Sequence, residues 1–208
     1  MTMPEPFAYP STPHDRKHGP GGYKNYQEYK PWLRDEFAFR CLYCLEREQW
    51  YPDRSASFSA DHIIPQVLDR SIVCSYGKLV YACTRCNSAK QDVMILDPTA
   101  IAIGHHLKMA ADGSIKALTA EGQDVIDLLH LDKAPALVVR RHYLRILALK
   151  LQRPEDPEID RLYAEAFGYP DDLPDLTKLR PPGGNARAGS EATSFHARRT
   201  RGELPTTY

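Results

Sequence analysis

Two C-x-x-C pairs, Cys41-Leu-Tyr-Cys44 and Cys83-Thr-Arg-Cys86, constrain this chain more than any other feature, because they oblige two turns far apart in sequence to meet. Paired thiolates on two such turns make the tetrahedral sulfur set that zinc favours. Disulfides are the competing use and belong to oxidising compartments. The stretch Met1 to Pro10 has no basic region followed by an apolar core, so the expectation is a cytoplasmic chain in which metal ligation prevails. Cys41, Cys44, Cys83 and Cys86 are therefore expected to hold a structural Zn2+, with Cys74 standing apart. Four sulfur ligands leave no open position for water, so any chemistry needs a second centre.

The segment between the pairs offers one. Phe58-Ser-Ala-Asp-His-Ile-Ile alternates in polarity and stops at Pro65, which suits a strand, and Leu79-Val-Tyr-Ala suits a second. A helix over Asn87 to Val93, capped by Asn87, is expected directly after the second cysteine pair. Upstream, Tyr26, Tyr29, Trp32, Leu33 and Phe37 recur at three- and four-residue steps and predict an amphipathic helix whose true start lies at Pro31.

Downstream of Asp97-Pro98 the pattern changes. Ala111-Asp-Gly113 lies between two short apolar runs and predicts a hairpin, and Thr119 is placed to cap a following helix. Residues 134–151 predict a longer helix with Leu137, Val138, Leu144, Leu147, Ala148 and Leu151 inward and Arg140, Arg141, Arg145 and Lys150 outward. Residues 156–167 predict a last helix ending at Gly168.

The expected organisation is a flexible arm over 1–22, a core over 23–98, an α+β extension over 99–179 packed on or beside it, and a disordered tail over 180–208 rich in Pro, Gly, Ser and Arg. No stretch approaches the roughly 20 apolar residues that span a bilayer, so no membrane partner is expected. Lys plus Arg, 27, equals Asp plus Glu, so total charge does not indicate a polyanionic partner. Only the basic stripe of residues 134–153 beside the acidic run of 155–175 points to an oriented surface.

Asp61-His62-Ile63-Ile64-Pro65 and Cys83-Thr84-Arg85-Cys86-Asn87-Ser88-Ala89-Lys90 together resemble the HNH endonuclease family, in particular its zinc-knuckle-containing bacterial standalone type. The resemblance covers about residues 26–97. It implies an α+β fold with a ββα-metal core stapled by the four-cysteine zinc site, preceded by an N-terminal helix and followed by a hairpin-plus-helices extension. It implies His62 as general base, Asp61 and Asn87 as ligands of a catalytic Mg2+ or Mn2+, and hydrolysis of DNA phosphodiester bonds, RNA not being excluded. A role in phage defence or DNA processing would follow.

Chemically the assignment is coherent, since a neutral histidine can accept a proton from water near pH 7 and a hard cation can offset charge on phosphate. Lys90 and Arg85 are placed to meet phosphate, and Arg141 and Arg145 to extend a DNA track. The chain departs from the family at one place: where an asparagine usually precedes the second strand, it has Lys78. Ser75 or a backbone carbonyl would then have to hold the imidazole. The alternative is a zinc-stabilised nucleic-acid- or protein-binding module with a degenerate nuclease site.

Overall fold

The computed structural model describes residues 6–208. Its centre is an antiparallel hairpin of β1 (Phe58–His62) and β2 (Leu79–Cys83), paired from Phe58 opposite Cys83 to His62 opposite Leu79. Helix α2 (Thr84–Lys90) follows β2 without a loop. Both α2 and the earlier helix α1 (Lys30–Glu36) pack on this hairpin, which is why all five residues of β2 are buried. Trp32 and Leu33 of α1 and Leu79, Val80 and Tyr81 of β2 are fully enclosed.

Local chemistry sets the boundaries. A single 3-10 turn over Tyr26–Tyr29, capped by the Asn25 side chain, feeds α1, and Pro31 lies in the first turn where its missing N–H costs nothing. Helix α2 begins earlier than its sequence suggests: its cap is Cys83, whose sulfur accepts from the Cys86 N–H at 3.5 Å, and Asn87 lies inside the helix. The cap is thus taken by a residue already committed to the cysteine cluster.

The hairpin β3 (Leu107–Met109) and β4 (Ile115–Ala117) forms around Gly113, which has φ of 82°. Thr119 caps α3 (Ala120–Leu129), its Oγ1 accepting from the Gly122 N–H at 3.1 Å. Ile103, Leu107, Ile115, Val125, Ile126 and Leu129 join the same buried cluster as α1, β1 and β2, so this part of the extension shares the main core. Helices α4 (Ala134–Gln152) and α5 (Pro157–Phe167) pack on one another around Ile146, Tyr163, Ala166 and Phe167, with Trp50 stacked on Tyr143 at 3.9 Å.

The faces of α4 depart from the periodicity of its sequence. Arg140 is fully buried, whereas Val138 and Leu151 are 64% and 62% exposed. The reason is specific bonding: the Arg140 guanidinium donates to the Gly113 and Leu131 carbonyls, which turns and loops leave without ladder partners.

The two ends also differ from expectation. The arm's residues 1–5 lie outside the described residues, but 6–22 are fastened to the body, and the tail expected to be disordered folds onto them. His14 and His18 reach the adjacent buried carboxylates Glu36 and Asp35 at 2.7 and 2.8 Å. The second nitrogen of His18 bonds Ser190 Oγ at 2.9 Å, and the other Asp35 oxygen accepts from the Phe195 N–H at 2.7 Å, where helix α6 (Phe195–Thr200) begins.

Gly21 N–H donates to the Gly184 carbonyl and the Gly21 carbonyl accepts from the Gly183 N–H, both at 2.9 Å, beside the bridge of Pro20 to Asn185. Gly22 has φ of 82°, and a Cβ there would stand 2.3 Å from the Gly183 nitrogen. Glycines that read as chain-loosening composition are therefore required for close backbone approach. Tyr208 lies over the buried Arg47 guanidinium, 4.0 Å from ring centroid to Cζ, and extends the same seam.

Candidate functional site

The cysteine pairs meet because the first turn is hydrogen-bonded to the second strand. Leu45 N–H closes the Cys41–Cys44 turn onto the Cys41 carbonyl, and Leu42 N–H donates to the Tyr81 carbonyl, two residues before Cys83. All four sulfurs are fully buried and lie within 4.8 Å of one another, Cys44 and Cys83 at 3.8 Å. Sulfurs bound at about 2.3 Å to a tetrahedral zinc stand roughly 3.8 Å apart, so the donor set and its spacing suit a metal ion such as zinc.

Ionisation agrees. Hydrogen bonds from the other three thiols hold Cys83 far below the usual thiol range, while burial pushes Cys44 up and the Cys41 bond pushes Cys86 up. Burial thus disfavours more than one bare thiolate, and a cation bound among the four sulfurs would offset that cost. Arg85, expected to meet phosphate, is used here instead: its guanidinium bonds the buried Glu46 carboxylate at 2.6 Å on the cysteine side of α2.

A cleft of about 220 Å³ opens at the other end of β1, lined in part by Tyr26, Asp61, His62, Gln66, Asn87 and Asp92. Side chains of β1 alternate, so Ser59 and Asp61 face α2 while His62 turns the other way. Asn87 Nδ2 donates to Ser59 Oγ at 2.9 Å. Asp61 is 5% exposed; its Oδ2 accepts from the Tyr43 hydroxyl at 2.6 Å, and its Oδ1 stands 3.4 Å from Lys90 Nζ. Burial pushes the Asp61 carboxyl above its ordinary value, against the opposing pull of Lys90 and Tyr43.

Lys90 is 1% exposed and donates to the His62 carbonyl at 2.7 Å. Its ammonium is therefore a strut between Asp61 and the end of β1, while the side chain also lines the cleft.

His62 carries the main chemical information. Its Nε2 lies 2.9 Å from the Val73 carbonyl, an acceptor only, so Nε2 bears the hydrogen. In the neutral ring the lone pair is then on Nδ1, 3.2 Å from the Gln66 amide nitrogen. Tyr26 packs edge-on against the ring at 4.5 Å. A backbone carbonyl thus orients the imidazole, one of the two alternatives open in the sequence. Lys78 contributes its carbonyl to Ile63 N–H and points its ammonium toward Asp97.

The remaining basic residues stand elsewhere. Arg141 donates to the Asp112 carbonyl at the β3–β4 turn, and Arg145 is exposed on α4; neither lines the cleft. His106 bonds Thr119 Oγ1 at 2.7 Å, a capping contact. Sequence reasoning missed Gln66 and Asp92. Gln66 follows the Asp-His-Ile-Ile-Pro run directly, which is the sequence signal for it, whereas Asp92 enters the cleft where Gln91 takes φ of 48° and turns the chain at the end of α2.

Compared with known proteins, the chain matches no family model, and no curated protein is significantly similar to it. Among the described residues, no helix is long and apolar enough to cross a membrane.

Proposed function

We propose that the chain is a metal-dependent endonuclease of HNH type that hydrolyses DNA phosphodiester bonds, with Zn2+ at the four cysteines as its structural staple. The observation that carries this reading is the state of His62: one ring nitrogen is hydrogen-bonded to the Val73 carbonyl, the other meets the Gln66 amide, and the side chain lines a cleft that also holds Asp61 and Asn87. A histidine fixed in this tautomer is equipped to take a proton from water. The β1–β2–α2 order, with the cysteines at its far end, supports the same reading.

Asp61 and Asn87 are the residues that would hold a divalent cation of the Mg2+ or Mn2+ kind. The donor set is sparse but of the right character: hard oxygens, with Asn87 Oδ1 left available when Nδ2 bonds Ser59. When bound, such an ion supplies charge stabilisation to the phosphate and the departing oxygen. The chain's own contribution is to orient His62, to keep Asp61 in place through Tyr43 and Lys90, and to shape the cleft.

One observation favours the second reading, a binding module with a degenerate site: Asp61 is nearly enclosed and already engaged by two donors. Incubation of purified protein with supercoiled plasmid and Mg2+ or Mn2+ separates the two. Nicking or linearisation that vanishes in His62→Ala and under EDTA is the expected result. Equal cleavage by His62→Ala removes His62 as the base, and intact plasmid with every metal tried favours the binding module.

A further inference from the structure

The amide of Gln66 stands where an attacking water would have to stand. Its Nε2 donates to His62 Nδ1 at 3.2 Å, the lone pair to which a water activated by His62 must give its proton. One nitrogen lone pair accepts one such bond, so water and amide compete for it. The competition is local and reversible. Pro65 fixes the backbone ahead of Gln66, and Leu68 N–H closes the turn onto the Pro65 carbonyl at 2.9 Å, so the Gln66 main chain is held. The half-buried side chain lines a cleft with room for it to withdraw.

We propose that Gln66 is the positioning residue for the nucleophile, an inference that rests on the nuclease reading above. The side chain leaves Nδ1 as water enters, and rotation about its terminal torsion presents Oε1 in place of Nε2. That oxygen accepts one O–H of the water while Nδ1 accepts the other, which leaves an oxygen lone pair directed at phosphorus. In the step itself the O–H bond facing Nδ1 breaks, the proton passes to His62, and the new P–O bond forms. The opposite P–O bond breaks with its electron pair leaving on the alkoxide, which takes a proton from solvent, and His62 returns its proton to solvent. A glutamine that orients the attacking water is a known device in phosphoryl transfer.

The test is a comparison of Gln66→Met, which keeps length and loses the acceptor, with Gln66→Glu, which keeps an acceptor and loses the donor. Each is assayed for plasmid cleavage beside wild type, and the His62 ring nitrogens are followed by 15N NMR in wild type and Gln66→Met. The inference expects kcat of Gln66→Met to fall about 10- to 100-fold with KM within about twofold, and Gln66→Glu to recover part of that loss. It also expects the Nδ1 resonance to move when the amide donor is removed. Cleavage by wild type with an undiminished kcat in Gln66→Met overturns the inference alone, as does an unmoved Nδ1 resonance. Absence of cleavage by wild type overturns the nuclease reading itself.

Discussion

The two ends of the β1–β2 hairpin carry opposite kinds of site. At the Cys83 end, four sulfurs are sealed from solvent and bound to one another's geometry by backbone hydrogen bonds. At the His62 end, the Asp61 and Asp92 carboxylates, the His62 imidazole and the Gln66 and Asn87 amides line an open cleft, and the ring is held by a backbone carbonyl on one nitrogen and by a side-chain amide on the other. A closed sulfur site contributes stability through the ion it binds, and an open mixed site offers positions that a substrate or water can take. Since one short hairpin joins them, damage at the open end need not destroy the closed one, whereas loss of the closed end should cost both, and that asymmetry can be measured.

The largest effect is expected at the closed end. Elemental analysis of the wild type should find about one equivalent of zinc, and Cys83→Ser should lose it and unfold the core, as judged by loss of the cooperative melt; free energies of structural zinc binding are about 10 kcal/mol or more. Folded wild-type protein without zinc would erase the contrast between the ends. Next is Lys90→Met, which leaves the buried Asp61 carboxylate without its cation. Denaturant titration should show a loss of about 3 to 5 kcal/mol, with zinc retained. An unchanged midpoint would mean that the strut between Asp61 and β1 is not formed.

A third prediction concerns acid. Burial pushes Glu36 up, but the His14 bond, the Lys17 N–H and Arg16 outweigh it and bring its carboxyl from 4.5 to about 2. A depressed carboxyl stabilises the fold above its unfolded value and loses that contribution as pH falls through the folded one. Stability should therefore drop by up to about 3 kcal/mol between about pH 4.5 and 2. Glu36→Gln should flatten that part of the stability profile, and a profile as steep as wild type would refute the assignment. The smallest effect is expected at an exposed position outside the cleft: Arg145→Ala, on α4, should leave stability within about 0.5 kcal/mol and cleavage unchanged. A marked fall in cleavage would extend the working surface beyond the cleft.

What could be read from the sequence was local. The cysteine spacing, the strand at Phe58, the glycine turn at Gly113 and the cap at Thr119 are set by residues within a few positions of one another, and each element forms where its chemistry indicates. Other features depend on partners remote in sequence. Arg140 is apolar-face material only because carbonyls at Gly113 and Leu131 need donors, and Lys90 is a strut only because the end of β1 passes over it. The ends read as loose for a similar reason. Pro, Gly and Ser indicate a chain poor in self-packing, but here they supply the thin backbone contacts and short polar side chains that let residues 6–22 and 183–195 lie together on α1.

The Val73 carbonyl that holds His62 belongs to the peptide chain, not to any side chain. Every residue at position 73 except one that bends the loop would present the same oxygen, so alanine scanning of residues 70–78 would pass over the contact that fixes the tautomer. The hold resides in the path and length of that loop. Insertion or deletion of a single residue there would release the imidazole where a dozen conservative substitutions would leave it in place.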